Sequence, residues 1–553
     1  MGASGAGKTT LLNTLTGRNL RRLEVNGEVL INGENVGQHM ARLSAYVQQD
    51  DLFIGTLTVR EHLVFQALLR MDQHLNYHER MKRVGEAILE LGLTKCVDTT
   101  IGVAGTKKGI SGGEAKRLAF AAEVLTNPAL MFCDEPTSGL DSFMSQSIIS
   151  VLRNMAGGGR TIVCTIHQPS SEVFEMFDQL LLLAEGKVAY LGKASKAVEF
   201  FNRAGLCCPV NYNPSDFFIH NLAIVPGKEE ECKSKVESIC SQFEKERCLR
   251  LFLPPSPVCS FIPGEITYKS KYKASWCSQF YALLWRCWIS MIREPMLAKV
   301  RFVQTLVVSL LLGLIYLNQA YDQNGIMNLN GALFLALTNI TFHNLFSVIN
   351  TFCLEKPIFL REHWNGMYRA DVYFLCKTIA EAPFIILMTA MFVSILYWLI
   401  GLNSDYKAFL TCVAVTVLIA NTAASFGYMI SCLTDSVNVA MSISTPLMTP
   451  LLLFGGFFLN NASVPSYFLV IKYLSWFYYG NEVLCINQWS SITNITCSDN
   501  PMAPCIRDGD TVLDTLNFKK DHFLRDIAVI VALFLFFRTL AFIALLIKSR
   551  RKT

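Results

Sequence analysis

The sequence contains few charged residues for its length, and its net charge is small. Asp, Glu, Lys and Arg make up 17% of its 553 residues, whereas soluble domains usually contain about 25%. The net charge of +5 is too small to indicate nucleic-acid binding, so no nucleic-acid partner is expected.

Two further features are missing from the chain. The cysteines of its first half, such as Cys96 and Cys133, lack the paired spacing of a zinc site, and eighteen cysteines in all do not form a disulfide scaffold at this length. The cysteines of the first half are therefore interpreted as reduced cytosolic thiols. Residues 1–20 contain no apolar stretch, so no cleavable secretory signal is expected.

Charged and apolar residues are distributed unevenly. Residues 1–250 hold most of the charged side chains, and residues 300–547 contain several long apolar runs. This change predicts a soluble domain followed by a membrane domain, and it excludes a disordered, collagen-like or wholly soluble protein. In the soluble half, strand-like runs at 129–133 and 161–166 alternate with helical patterns, which predicts an α/β fold with a largely parallel sheet.

A phosphate-binding motif occurs in full at residues 2–9, which match G-x-x-x-x-G-K-[ST]. Its glycines let backbone N–H groups surround phosphate oxygens, and the helix that follows favours their negative charge. Lys8 is expected to reach the β and γ phosphates, and the Thr9 hydroxyl to bind Mg²⁺. The residues of this segment expected to bind ATP are Gly2, Ser4, Gly5, Gly7, Lys8, Thr9 and Thr10.

Further residues with suitable chemistry follow in a consistent order. Asp134 ends an apolar strand and is suited to holding Mg²⁺, and Glu135 can polarise the attacking water. Gln49 can sense Mg²⁺ and water, and His167 follows a strand that places it near the γ phosphate. A third phosphate contact is expected from the start of a helix, at Ser111, Gly112 and Gly113. Taken alone, Glu135 could be a helix-capping acid. Ser111 with the two glycines after it would usually be a loop cap, and His167 would more often form a structural hydrogen bond.

In this order the motifs resemble an ATP-binding cassette, and a cassette placed before six spans resembles the G-subfamily half-transporters. Residues 453–460 and 474–477 are similar to the White type of insect half-transporters. The resemblance implies ATP and Mg²⁺ as cofactors, with Mg²⁺ held by Thr9, Gln49 and Asp134. It assigns catalysis to Glu135, His167 and Gln49, and it adds Asp141 to the ATP-binding residues.

The resemblance also implies how the protein works. ATP lies between Lys8 of one subunit and Ser111 of the other, so the active unit is a dimer with a second half-transporter, as a heterodimer or a homodimer. White-type proteins move eye-pigment precursors, derived from guanine and tryptophan, out of the cytosol into pigment granules. Two alternatives remain open: an exporter of sterols, lipids or xenobiotics, and a catalytically weak partner subunit of a heterodimer.

Six segments are long and apolar enough to cross a bilayer as helices. They are residues 300–317, 330–352, 373–400, 408–432, 438–459 and 525–547. Basic residues precede the first of them, at Lys299 and Arg301, and follow the last, at 548–552. The positive-inside rule then places both termini in the cytosol. The membrane that the chain crosses is expected to be that of the pigment granule or the plasma membrane.

The segment between the last two spans, residues 460–524, then lies outside the cytosol. Asn461 and Asn494 begin glycosylation sequons there. Cys497 and Cys505 are close enough in sequence to form a disulfide in an oxidising compartment. These features agree with the predicted orientation without having been used to derive it.

The expected boundaries follow from these features. They are a cassette at 1–225, a linker at 226–275, an interfacial connecting helix at 276–297 and a six-span membrane domain at 298–553. A packed core helix is the alternative for 276–297. Because the P-loop begins at residue 2, the strand that precedes it in the family is expected to be missing, which makes the cassette N-terminally incomplete.

The resemblance places a substrate cavity in the second and fifth spans. Asn339 and Phe342 lie three residues apart on one helical face, and they match positions that line this cavity in the family. Phe457 and Phe458 match a hydrophobic plug above it. Ordinary packing between helices is the alternative for Asn339 and Phe342.

Overall fold

The computed structural model describes residues 1–550 except 19, 21–22, 32, 36–39, 50–51, 103–108, 251–271, 460–465 and 498–504. The chain divides into two compact units, Met1–Ser275 and Trp276–Arg551.

The first unit is built on a parallel sheet with an antiparallel hairpin beside it. Its strands are β1 (Leu30–Ile31), β2 (Glu34–Asn35), β3 (Ser44–Val47), β4 (Leu130–Asp134), β5 (Thr161–Thr165), β6 (Gln179–Ala184) and β7 (Lys187–Lys193). Strands β3, β4 and β5 pair in parallel in that order, and β6 pairs with β7. The register of β4 and β5 sets Asp134 opposite Thr165, so two polar side chains meet at the carboxyl edge of the sheet.

Only a short stretch of backbone connects the P-loop to β6. Gly2 forms a parallel bridge to Leu183, whose amide donates to the Met1 carbonyl (2.9 Å). A cavity of about 950 Å³ is lined by residues of both β5 and β6, among them Val163 and Leu181. The beginning of the P-loop is therefore held against β6 by two residues.

Several helices of this unit begin at a residue whose side chain caps them. The helices of the unit are α1 (Lys8–Thr16), α2 (Met40–Leu43), α3 (Val59–Arg70), α4 (Tyr77–Glu90), α5 (Gly112–Val124), α6 (Ser142–Gly157), α7 (Ser171–Phe174), α8 (Ala197–Arg203), α9 (Pro214–Leu222) and α10 (Glu229–Arg250). Thr58, Asn76 and Ser111 each form a capping box, which satisfies free N–H groups at the starts of α3, α4 and α5.

Residues 226–275 differ from the linker that the sequence predicts, because 229–250 form a helix that packs onto the cassette. Val236, Ile239 and Cys240 of α10 are buried in a cluster with aromatic residues of the first unit. The spacing of these three residues, continued by Phe243, produces one narrow apolar stripe on a helix that is otherwise charged. The surrounding charge obscured this stripe in the sequence. The proline-rich part of the predicted linker lies in 251–271, outside the described residues.

The second unit is helical. Its helices are α11 (Trp276–Arg293), α12 (Pro295–Ile315), α13 (Gln323–Trp364), α14 (Ala370–Ile400), α15 (Tyr406–Leu433), α16 (Val437–Leu453), α17 (Leu469–Leu474), α18 (Trp476–Trp489), α19 (Gly509–Thr515) and α20 (Phe523–Arg550). Among the described residues, five helices are long and apolar enough to cross a membrane, namely α12, α13, α14, α15 and the one ending at Arg550. The predicted span 438–459 corresponds to α16, which is shorter, with 17 residues, and contains Pro446 and Pro450.

Helix α13 continues well beyond the predicted span 330–352. It has 42 residues, a length of about 63 Å at 1.5 Å per residue, which exceeds the bilayer core. Its last turns carry Glu362, which receives two hydrogen bonds from Arg286 of α11, at 2.9 and 2.7 Å. Helix α11 buries Arg286 on one face and exposes Tyr281 and Trp288 on the other. Its predicted position at a membrane interface stays a prediction.

The predicted outer loop 460–524 is also more ordered than a loop in its described parts. It contains α17, α18 and α19, and Trp476 and Trp489 at the two ends of α18 are fully buried. Nearly every residue of α18 is buried, including the polar Asn481, Glu482 and Gln488, so this helix is packed within the unit rather than lying on its surface.

The α10 contact yields a stability prediction. Replacing Ile239 with Ala removes buried methyl groups and should lower the free energy of unfolding by about 2–5 kcal/mol. The midpoint of thermal unfolding of the purified full-length protein measures this. Lys233→Ala, on the exposed face of the same helix, should change stability by less than about 0.5 kcal/mol. Equal midpoints for the two variants would mean that the α10 stripe contributes nothing to stability.

Candidate functional site

The P-loop has the backbone that its glycines permit. Gly5 and Gly7 have φ angles of 81° and 92°, in the left-handed region that glycine occupies without strain. A Cβ on Gly2 would lie 2.4 Å from the carbonyl oxygen of Leu183, so only glycine fits against β6. The loop therefore requires glycine at three of its positions.

Lys8 lies under this loop, at the first residue of α1. Its side chain is 8% exposed, and its Nζ donates hydrogen bonds to the carbonyl oxygens of Gly2 (2.9 Å) and Ala3 (3.1 Å). Ser4, Thr9 and Thr10 are exposed around it. The ammonium group is thus held inside the loop, next to free backbone amides at the start of a helix.

Asp134 is the centre of the site. It is 4% exposed, and its Oδ1 accepts hydrogen bonds from Thr165 (2.6 Å) and from Thr9 of the P-loop (3.2 Å). The Tyr46 hydroxyl donates to Oδ2 at 3.4 Å. Burial and the nearby Asp134 raise the pKa of Tyr46, so this hydroxyl stays protonated and remains a donor.

Gln49 and Glu135 meet directly. The Gln49 amide donates to the Glu135 carboxylate at 2.8 Å, although 86 positions separate them. Glu135 has a left-handed φ of 44°, and its amide donates to Thr165 at 2.8 Å. The sheet edge thus presents a carboxylate held by an amide side chain beside Asp134.

Ser111 and Asp141 begin the helices α5 and α6. Both side chains are exposed and act as N-caps: Ser111 accepts from the amide of Glu114 at 3.3 Å, and Asp141 from the amide of Met144 at 2.7 Å. The Ser111 amide donates to the Glu114 carboxylate and holds the pKa of Glu114 below its ordinary value. Within one chain, Ser111 therefore acts as a helix cap. Gly112, next to it, is also exposed.

The structure places His167 two residues beyond the end of β5, exposed at the same edge of the sheet. Thr165 and Tyr46 are functional neighbours that the sequence reasoning missed. Thr165 could have been found from the sequence, because it is the last residue of β5 as Asp134 is of β4, and parallel pairing sets the two opposite each other. Tyr46 carried no comparable signal, since its contact depends on the pairing of β3 with β4.

The oxygen donors at this edge fit a hard divalent cation. The Asp134 carboxylate and the Thr9 hydroxyl lie within hydrogen-bond distance of each other. The Gln49 side chain contacts Glu135, the residue that follows Asp134. Such oxygen ligands are those that Mg²⁺ uses alongside nucleotide phosphates.

The membrane residues predicted to form one cavity lie in two places. Asn339 and Phe342 line a cavity of about 360 Å³. Phe457 and Phe458 are exposed and pack against Phe334, with ring centroids 5.0 and 5.4 Å away. The assignment of these four residues to a single substrate path stays a prediction.

The outer segment carries the predicted disulfide residues and one predicted sequon. Cys497 and Cys505 are joined to each other, with their Cα atoms 5.5 Å apart. Asn494 is exposed nearby, which is compatible with modification. Asn461 lies outside the described residues.

Comparisons with known proteins agree with this geometry. Residues 1–138 match the family described as ABC transporter, and residues 167–246 and 278–489 match two families described as ABC-2 type transporter. The chain is 49% identical over 561 residues to "Protein white" of Drosophila melanogaster, with 100% of this chain and 81% of that protein covered. The chain is a G-subfamily ABC half-transporter.

Two more distant relatives show how far the similarity extends. "ABC transporter ATP-binding protein/permease wht-1" of Caenorhabditis elegans is 40% identical, with 100% of this chain and 85% of that protein covered. "Broad substrate specificity ATP-binding cassette transporter ABCG2" of Mus musculus is 33% identical over 88% of this chain and 78% of that protein. This half-transporter is therefore an ATP-binding, ATP-hydrolysing integral membrane protein.

The backbone of the P-loop in this half-transporter yields a binding prediction. Replacing Gly7 with Ala imposes a left-handed φ on an L-residue, at about 1–2 kcal/mol, so ATP affinity should fall by roughly 5- to 30-fold. Titration of the purified protein with a fluorescent ATP analogue measures this. Gly85→Ala is the control, because Gly85 lies in α4 with no positive φ and open space around its Cβ position. Equal affinities would exclude a role for the Gly7 backbone.

Proposed function

We propose that this half-transporter hydrolyses ATP with bound Mg²⁺ in a dimer and uses the energy to export small molecules from the cytosol, most specifically eye-pigment precursors derived from guanine and tryptophan. The observation that carries the catalytic part is the contact of Gln49 with Glu135 beside Asp134 and Thr9. The cargo is supported by the 49% identity to "Protein white".

The chemistry follows from what each side chain can do. Lys8 exchanges its hydrogen bonds to the loop carbonyls for phosphate oxygens and offsets their charge. Glu135 accepts a hydrogen bond from the attacking water, and Gln49 fixes the direction of the Glu135 carboxylate. His167, exposed at the same edge, donates to the γ phosphate. Positioning and charge stabilisation of this kind account for most of the catalysis of phosphoryl transfer.

Thr9, Asp134 and Gln49 would hold Mg²⁺. The ion, when bound, neutralises negative charge on the phosphate oxygens. Thr165 and Tyr46 hold the Asp134 side chain in its orientation toward Thr9, because both donate hydrogen bonds to its carboxylate.

The exposed start of α5 supports the dimer. Ser111 and Gly112 present a hydroxyl and backbone amides to the outside of the chain, at a helix N-terminus where a phosphate is favoured. We assign this surface to the ATP held by the P-loop of a second half-transporter, in a heterodimer or a homodimer. ATP then favours the closed pair, and hydrolysis removes that preference.

The orientation is proposed from the basic residues. Lys299 and Arg301 at the start of α12, and Lys548 and Arg550 at the end of α20, support a cytosolic position for both termini. The disulfide between Cys497 and Cys505 is then on the opposite side, with Asn494. For the proposed cargo, the membrane is that of the pigment granule, and the plasma membrane is the alternative location.

Replacing Glu135 with Gln tests the catalytic assignment. ATP hydrolysis by the purified dimer should fall by about 10²- to 10⁴-fold, because the general base is lost, while ATP binding persists. Glu185→Gln is a matched control, since Glu185 also has a left-handed φ, of 49°, but lies in an exposed turn after β6. Unchanged turnover of Glu135→Gln, with vanadate-trapped nucleotide equal to wild type, would remove Glu135 from the mechanism.

Transport into membrane vesicles tests the cargo. Vesicles that contain this chain, alone or with a second half-transporter, should accumulate labelled guanine, tryptophan or kynurenine only when ATP is present. Labelled sterol and a cationic dye test the alternative cargo class in the same vesicles. Accumulation of sterol or dye, without any of the three precursors, would reject pigment precursors as the cargo and support the alternative exporter of sterols, lipids or xenobiotics.

A further inference from the structure

A lysine side chain joins helix α5 to the nucleotide site. Lys116 lies on the buried face of α5 and is 4% exposed. Its Nζ donates a hydrogen bond to the backbone carbonyl of Gln49, although 67 positions separate the two residues. A charged group is costly to bury unless acceptors meet it. The contact therefore fixes the Gln49 backbone and α5 relative to each other.

Gln49 depends on such contacts because it lies beyond the end of the paired strand. The pairing of β3 with β4 ends at Val47, which lies opposite Cys133. The Gln49 side chain is exposed and donates to the Glu135 carboxylate at 2.8 Å. Gln49 is thus held at two points, at its carbonyl by Lys116 and at its side chain by Glu135.

The helix that carries Lys116 also carries the surface proposed to meet the second half-transporter. Ser111 and Gly112 are exposed at its start. Lys116 follows Ser111 by five residues, which is about 7.5 Å along a helix at 1.5 Å per residue. A helix is a rigid element over this distance, so a displacement of its first turn also displaces Lys116 and, with it, the Gln49 carbonyl.

A purely structural connection is the alternative for Lys116, and α5 contains one for comparison. Near the other end of the helix, Glu123 accepts a hydrogen bond from Arg70 of α3 at 2.7 Å. That pair joins two helices through their side chains. Lys116 differs because its acceptor is the backbone of Gln49, a residue that itself contacts Glu135.

We propose that Lys116 is a positioning residue that connects Gln49 to α5. ATP that the second half-transporter places at Ser111 then sets the position of Gln49 and, through it, of Glu135 in this chain. The inference rests on the proposed function and deepens it, because it names the residue through which one ATP site of the dimer acts on the other. Lys116 is assigned no contact with ATP or with the attacking water, and its effect reaches the reaction through Gln49.

A dimer connected in this way hydrolyses ATP cooperatively. ATP held by the P-loop of one subunit meets α5 of the other subunit and there completes the geometry around Glu135. The Hill coefficient for hydrolysis then rises above 1 toward about 2, the number of sites in the dimer, whereas independent sites give about 1.

Replacing Lys116 with Met tests this connection, because it removes the donor and the charge and keeps an unbranched side chain. ATP hydrolysis by the purified full-length dimer in lipid nanodiscs is measured against ATP concentration. The kcat should fall by about 10- to 100-fold, since a small misplacement of a reacting group has an effect of this size, and the Hill coefficient should fall to about 1. Affinity for a fluorescent ATP analogue should stay within about twofold, which separates positioning from binding.

Two further variants serve as controls. Arg117→Met removes a positive charge from the next residue of α5, whose charge lies near Glu114, and it should keep the Hill coefficient of the wild type. Lys116→Arg keeps a charged donor, so its kcat should lie between those of the wild type and Lys116→Met.

A double replacement tests whether Lys116 acts through Gln49. In a Gln49→Ala background, Lys116→Met should lower kcat by less than about twofold, because the side chain that Lys116 positions is already gone. Effects of the two replacements that multiply in full overturn the inference. A wild-type Hill coefficient of about 1 also overturns it, and that measurement depends on the folding of no variant.

Amide hydrogen exchange separates this inference from the proposed function, because it requires no hydrolysis. A non-hydrolysable ATP analogue should slow exchange at residues 47–49 and at the start of α5 together in the wild type, and only at the start of α5 in Lys116→Met. That pattern in a dimer that does not hydrolyse ATP rejects the proposed function and supports the connection. Hydrolysis that Glu135→Gln abolishes, with residues 47–49 still protected in Lys116→Met, supports the proposed function and overturns the connection.

Discussion

The buried carboxylate of Asp134 is the interaction on which the cassette site depends. Its hydrogen bonds join β4 to the P-loop through Thr9, to β5 through Thr165 and to β3 through Tyr46. A buried carboxylate has to be satisfied by hydrogen bonds or by a cation. The three donors therefore set the relative positions of the loop and the strand ends, and they leave Glu135 at the edge where Gln49 meets it.

The membrane unit applies the same constraint to cations. Arg286 and Lys377 are buried and paired with carboxylates that come from other helices or from the next turn. These pairs link α11 to α13 and α13 to α14, because an isolated charge in apolar surroundings is expensive.

Local patterns predicted most of the elements. The P-loop, the strand that ends at Asp134 and the start of α5 at Ser111 are encoded in runs of fewer than ten residues, and five of the six predicted spans correspond to long apolar helices. Three predictions were less accurate. Residues 229–250 are a packed helix, α13 extends to Trp364, and the outer segment contains a buried helix, α18. In each case a polar or short segment is stabilised by contacts with distant residues, which hydropathy does not register.

By itself, the sequence determined the chemistry of the nucleotide site, because a glycine-rich loop binds phosphate through its own backbone, and it determined which segments are apolar enough for a membrane. Only the tertiary structure decided which groups meet. The contact of Gln49 with Glu135 spans 86 positions, and Glu362 lies 76 positions from Arg286. The partner of a buried charge depends on how helices and strands pack, so only the folded chain shows that Arg286 is paired with Glu362.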